Sequence, residues 1–96
     1  MTLVRKLIRA SGEEIALPGP VCIAEAERLI GADTLSTVTL LDRKHVMLVD
    51  DRFIAKGLPV NAAATRLYHE VCVPGTTHQI CGDVIVVPDS DYGSEL

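Results

Sequence analysis

The sequence predicts an α+β domain in which a mainly antiparallel sheet of four to six strands carries two packed helices. Several short runs of β-branched and aliphatic residues are separated by brief turn segments, which is typical of antiparallel strands. Two other segments combine a helix-start signal with apolar residues at helical spacing. Because a chain of 96 residues has material for one core only, we place a single domain at residues 1–88 and expect the polar residues 89–96 to form a frayed tail.

The first part of the chain is predicted to form a β-hairpin followed by a helix. Residues 3–9 and 14–17 have extended character, and Ser11-Gly12 between them favours a tight turn. Pro18-Gly19-Pro20 then ends the second strand, since proline suits the first turn of a helix and not the interior of a sheet. Gly31 stands where a left-handed helix cap belongs. The apolar residues before it fall on one helix face: Cys22, Ala26, Leu29 and Ile30.

A second hairpin is predicted in the middle of the chain. The runs at 35–41 and 45–49 are apolar on both faces, and a short charged segment, Asp42-Arg43-Lys44, joins them. This combination indicates two central strands. After another charged turn, Phe53-Ile54-Ala55 has the length of a brief third strand.

The last predicted elements are one helix and one strand. Asn61 is a favourable N-cap for a helix from about residue 62 to 68, where three alanines give high helix propensity. Residues 83–87 then predict a strand that Pro88 ends. The run Val84-Ile85-Val86-Val87 carries no charge. If it lies at an edge of the sheet it would pair with its twofold mate, so a homodimer is our hypothesis.

Five short motifs occur in a fixed order in the second half of the chain. They are GLPVN at 57–61, Ala-Thr at 64–65, Leu-Tyr at 67–68, His-Gln-Ile at 78–80 and Gly-Asp at 82–83. In this order they resemble a small uncharacterised family of bacterial, phage and plasmid proteins, the domain of unknown function 3846. The resemblance covers most of the chain. It implies a compact α+β domain and a mobile-element setting, but no activity, cofactor or catalytic residue.

Composition excludes several classes of partner. The net charge is −4 and the basic residues are scattered, so the chain lacks the basic stripe that a nucleic acid needs. Two tyrosines, one phenylalanine and no tryptophan leave few platforms on which bases could stack. No apolar run is long enough to span a membrane or to follow the first nine residues as a signal peptide, and the odd number of cysteines favours reduced thiols. We therefore expect a cytoplasmic protein.

The sequence YHEVCVPGTTHQICGD at 68–83 contains two His-x-x-Cys pairs, which suggest a zinc site of His69, Cys72, His78 and Cys81. Only five residues separate the pairs, however, whereas common zinc-finger spacings leave about 12–20 residues for the chain to turn back on the metal. We therefore interpret the segment as a loop between helix and strand, with its thiols packed as small hydrophobic groups, and expect no cofactor. A zinc-stabilised module and a small enzyme that uses these histidines and cysteines remain alternatives.

One polar set is compatible with binding: Asn61, Arg66, Tyr68, His69 and His78. Residues three and four apart on the second helix share a face, so these side chains would form a compact surface patch. Our leading hypothesis is a non-catalytic binding or accessory protein of a mobile element, whose partner is an unidentified protein or small molecule.

Overall fold

The computed structural model describes residues 4–91 and is organised around a five-stranded antiparallel sheet of strand order β2-β1-β5-β4-β3. The predicted α+β class is confirmed. The elements are β1 (Lys6–Ile8), β2 (Glu14–Ala16), α1 (Ile23–Ile30), β3 (Leu35–Thr39), β4 (His45–Asp50), α2 (Phe53–Lys56), α3 (Ala62–Val71) and β5 (Val84–Pro88), followed by a 3-10 turn at Asp89–Asp91. No helix within residues 4–91 has the length and apolar character needed to cross a membrane.

Both faces of the sheet are apolar, and a helix covers each of them. Every residue of β4 and β5 is buried, and successive side chains of a strand point to opposite faces. The core between the sheet and α1 consists of Leu7, Val21, Ala26, Ile30, Val46, Leu48, Ile85 and Val87. The core between the sheet and α3 consists of Ile8, Leu40, Met47, Val49, Ala64, Ile80, Val84 and Val86. The sheet is thus the middle layer of three, because its central strands have no polar face to expose.

The predicted strand at Phe53-Ile54-Ala55 is wrong, because these residues form the short helix α2. Gly57 ends α2 in the left-handed conformation at φ 65°, and Phe53 packs against the core on the α3 side. Lys56 then donates from Nζ to the Gly31 carbonyl at 3.0 Å and to Asp50 at 2.8 Å. A helical turn therefore lets one lysine join the end of α1 to the end of β4.

Residues 89–91, the first part of the predicted frayed tail of residues 89–96, have regular structure, and the fraying itself stays a prediction. Residues 89–91 form a 3-10 turn, and the Asp91 carboxylate accepts two hydrogen bonds from the Arg5 guanidinium, at 2.9 and 2.8 Å. This paired contact raises the pKa of Arg5, chiefly through the hydrogen bond to Asp91. Residues 92–96 lie outside the described part of the chain.

The position of β5 removes the argument that led to the predicted dimer contact. This strand lies between β1 and β4, and Val86 pairs with Lys6 on one side and with Met47 on the other. Its backbone groups are therefore used inside the sheet. The homodimer stays a prediction, but it needs a different surface.

Candidate functional site

Asn61, the first residue of the predicted polar patch, is a buried structural residue. Its Oδ1 accepts from the Ala64 N–H at 3.0 Å and so caps α3. Its Nδ2 donates to the carbonyls of Ile8 at 3.1 Å and Gly82 at 2.9 Å. Both ends of the amide are thus used to hold α3 against β1 and the segment before β5. Asn61 is not part of a surface patch, and this part of the sequence prediction is wrong.

Gly82 is the second fixed point of the same region. Its φ of +83° is rarely adopted by residues with a side chain, and its N–H donates to the Pro59 carbonyl at 2.7 Å. A Cβ at this position would lie 2.8 Å from Cδ1 of Leu58. The backbone conformation therefore favours glycine, and a Cβ here would in addition force the Leu58 side chain to shift.

Thr65 and Asp83 complete this contact region, which we call the joint: Leu58, Pro59, Asn61, Thr65, Ile80, Gly82 and Asp83. The Thr65 hydroxyl donates to the Ile80 carbonyl at 3.2 Å and accepts from the Ile80 N–H at 2.9 Å, as a paired strand would. Asp83 accepts from the Ala10 N–H at 2.9 Å and lies 3.5 Å from the Arg9 guanidinium. Four of the five motifs that carry the family resemblance thus meet in the joint, where hydrogen bonds of Asn61, Thr65 and Asp83 connect them to the rest of the fold. The Leu67-Tyr68 motif packs against the core on the α3 side instead.

The other members of the predicted patch remain near one another but make little use of their polar atoms. Tyr68 and His69 have ring centroids 6.1 Å apart, and His69 Nε2 donates to the His78 carbonyl at 2.6 Å. Arg66 and the His78 side chain are exposed. The bond from His69 connects α3 to the following loop, so this ring has a structural role, and only its Nδ1 is left to face solvent or a ligand.

The two His-x-x-Cys pairs do not converge. The Cys72 sulfur lies beside the Tyr68 hydroxyl, whose pKa is raised chiefly by the hydrogen bond to Cys72, then by the charge of the Cys72 thiolate and by burial. Cys81 forms an isolated β-bridge with Val60, at the far end of the loop. Within residues 4–91, no group of three or more His, Cys, Asp or Glu side chains is placed to hold a metal ion. The geometry gives no support to the zinc or catalytic alternatives for this loop.

An aspartate–histidine pair that we did not predict lies at the turn between β3 and β4. His45 is buried, and its Nδ1 is 2.6 Å from Asp42 Oδ2. Asp42 also accepts the N–H groups of Lys44 and His45; these bonds, led by that of Lys44, and the imidazole contact lower the carboxyl pKa to about 2. The sequence signal was an aspartate at the start of a tight turn with a histidine three residues later.

This pair locks the chain rather than activating a substrate. His45 Nε2 accepts the Val4 N–H at 2.9 Å, so Nδ1 carries the proton and donates it to Asp42. The orientation is that of a catalytic dyad, but the nitrogen that would act as the base is occupied by the backbone. The adjoining hollow of about 240 Å³, which Lys6 and Leu67 help to line, is open to solvent but exposes no free nucleophile or base from this pair.

Exposed apolar side chains cluster near the same turn. We define the hairpin-tip patch as Leu41 and Val71 with the groove that they line, and Val73, which follows Val71 by two residues. Leu41 is 64% exposed and Val73 78% exposed. The groove has a volume of about 320 Å³ and is lined by Thr39, Leu40, Leu41, Arg43, Glu70, Val71 and Cys72. Its lining combines the aliphatic side chains of Leu40, Leu41 and Val71 with the oppositely charged Arg43 and Glu70 and with the polar Thr39 and Cys72.

Comparison with known proteins found no matching family model, no matching curated protein and no matching solved structure. The resemblance to the uncharacterised phage and plasmid family therefore stays a prediction.

Proposed function

We propose that the protein is a non-catalytic binding protein whose hairpin-tip patch receives an apolar side chain of a partner protein. The observation that carries the proposal is the exposure of Leu41 and Val71, which line the same groove, together with that of Val73 two residues after Val71. Contiguous exposed apolar side chains with a polar rim are typical of protein interaction sites, whereas isolated ones are ordinary. Arg43 and Glu70 supply that rim.

The use of the polar residues supports binding over catalysis. Asn61 and His45, which are buried, and the ring Nε2 of His69 are all engaged in hydrogen bonds that hold the chain together. A catalytic group needs a free atom within hydrogen-bond reach of a substrate. The hairpin-tip patch, by contrast, offers area and shape without requiring any reactive group.

The setting is part of the same proposal. An accessory role in a phage or plasmid follows from the family resemblance, and the neighbouring genes would test it. The cytoplasm is the proposed location, since the thiols of Cys22, Cys72 and Cys81 are free and reducing compartments keep thiols in that state.

The test is affinity capture from host extract followed by titration of the purified partner. Leu41→Glu places a charge in the groove, and we expect it to weaken binding roughly tenfold or more, which corresponds to about 1.4 kcal/mol. The matched control is Ile54→Glu, because Ile54 is 77% exposed but lies on α2, outside the patch. It should bind as the wild type does. Equal binding by both variants would refute the proposed site.

A further inference from the structure

The outer edge of β3 lies next to the hairpin-tip patch and presents backbone groups rather than an apolar groove. β3, which the sequence predicted to be a central strand, is an edge strand, and in residues 4–91 it pairs only with β4. Its sequence, Leu-Ser-Thr-Val-Thr, contains neither a charge nor a proline. Natural sheets normally protect an edge of this kind with charges, proline, a bulge or a covering segment. β3 has strong strand propensity and is protected by neither charges nor proline.

The opposite edge of the sheet shows the contrast. β2 is three residues long and contains Glu14, whose carboxylate pairs with Lys6 at 3.0 Å. Glu13 precedes it, and Pro18 follows shortly after its end. A second chain would therefore meet a short and charged edge at β2. The longer and uncharged edge is at β3.

The register shows which backbone groups of β3 are free to pair. The Leu40 N–H donates to the His45 carbonyl, and the Asp51 N–H donates to the Thr34 carbonyl. Hydrogen-bonded and non-hydrogen-bonded pairs alternate along an antiparallel ladder, so residues 34, 36, 38 and 40 bond to β4. The N–H and C=O groups of Leu35, Thr37 and Thr39 therefore point away from the sheet.

From this register we infer that a second copy of the chain pairs with β3 through an antiparallel contact centred on Thr37. In this arrangement Thr37 faces Thr37 of the second copy, and each Leu35 faces a Thr39. Every such pair exchanges two backbone hydrogen bonds. Centring the twofold axis on Ser36 or Val38 would align fewer of the outward-facing groups. Pairing through β3 would join two five-stranded sheets into one continuous sheet.

The charges at the two ends of β3 favour a second copy as the occupant. Asp33 precedes β3; its side chain is 72% exposed and lies 3.8 Å from Arg52. In the turn after β3, Arg43 and Lys44 are exposed and outnumber the one acidic residue, Asp42. Antiparallel pairing brings the beginning of one strand next to the end of the other. Each Asp33 would then lie near the basic turn of the second copy, so the contact is complementary at both ends. The contact is also closed, because twofold pairing leaves no free β3 edge.

The test compares the same proline substitution at the two edges of the sheet. Thr37→Pro removes an outward N–H that the monomer does not use, and proline is tolerated at such edge positions. Ala16→Pro is the matched control, because Leu17 and Arg5 form a hydrogen-bonded pair and Ala16 therefore also points outward. By light scattering, the wild type and Ala16→Pro should have twice the 10.3 kDa chain mass at high micromolar concentration, and Thr37→Pro the single mass.

Amide hydrogen exchange supplies a second measurement that does not depend on folding of the variant. In the wild type, the amides of Leu35, Thr37 and Thr39 should exchange slowly at high protein concentration and rapidly on dilution, while that of Ala16 stays rapid throughout. A wild-type mass of 10.3 kDa at every concentration, rapid exchange at the three β3 amides, or a dimer that persists in Thr37→Pro would each overturn the inference.

Discussion

Replacing Asn61 tests whether the joint stabilises the fold as its geometry indicates. In Asn61→Ala, α3 loses its N-cap, which costs about 1 kcal/mol. The Gly82 carbonyl loses a buried donor, which costs about 1–3 kcal/mol. The Ile8 oxygen is also placed against Val84 in the sheet, so loss of its bond from Asn61 costs only about 1 kcal/mol. The free energy of unfolding should therefore fall by roughly 3–5 kcal/mol, measured by urea denaturation.

Asn61→Asp separates the donor role of the side chain from its acceptor role. The carboxylate can still cap α3, but it places a negative charge against two carbonyl oxygens that need donors. We expect it to be at least as destabilising as Asn61→Ala at neutral pH. Burial and the facing oxygens should raise the pKa of this carboxyl group above its unfolded value of about 3.9. Stability should therefore recover as pH falls through the raised folded pKa, and the recovery should be complete below the unfolded pKa.

The controls make this reasoning refutable. The difference in stability between Asn61→Ala and the wild type should not depend on pH over the same range, because neither residue titrates. Asn61→Ser retains an acceptor for the helix cap and should be less destabilising than Asn61→Ala by up to about 1 kcal/mol. If Asn61→Asp is within about 0.5 kcal/mol of the wild type at neutral pH, or if its deficit does not shrink in acid, the buried donor role of Asn61 is wrong.

Two further substitutions test the other fixed points of the fold. Lys56→Met removes the cation beside Asp50, whose side chain is 1% exposed. The free energy of unfolding, measured by urea denaturation, should fall by about 2–3 kcal/mol. This is less than the loss of a fully buried ion pair would cost, because Lys56 is partly exposed. Burial raises the pKa of Asp50, but the contact with Lys56 and a hydrogen bond from a backbone N–H lower it more, so that it lies below 3.8. The wild type therefore loses stability as the pH falls below 3.8. Lys56→Met should lose less stability over the same pH range. Gly82→Ala should cost about 1–3 kcal/mol in the same assay. Gly75→Ala, at φ +93° with open space around its Cβ, should cost less, and an equal cost would refute the crowding at Gly82.

The elements that sequence predicted correctly are those that local chemistry determines. Gly31 ends α1 with φ 71°, and Asn61 caps α3 through its side chain. The charged turn at residues 42–44 joins β3 to β4 as expected. Each of these features depends on residues within a few positions of one another, so the side-chain type indicates the conformation directly.

The features that sequence missed depend on contacts between distant parts of the chain. The run at 84–87 could not be distinguished as central or edge, because its partners β1 and β4 lie far from it in sequence. The composition of Phe53-Ile54-Ala55 is typical of a strand, but the segment forms a helical turn. In this turn, Lys56 donates hydrogen bonds to the Gly31 carbonyl and to Asp50. The role of His45 likewise depends on Val4, which is 41 positions away.

The same distinction explains why the sequence indicates a fold more clearly than a function. The motifs on which the predicted family resemblance rests contain glycine, proline and asparagine, and the structure uses Gly82, Pro59 and Asn61 to close the joint. Such residues stand out because few side chains can replace them. The proposed binding residue Leu41 is an ordinary aliphatic side chain, and Thr37 contributes only its backbone, so neither carries a local signal. A chain could therefore keep every motif of the joint and still change its partner, because the residues that specify the fold and those proposed to specify binding do not overlap.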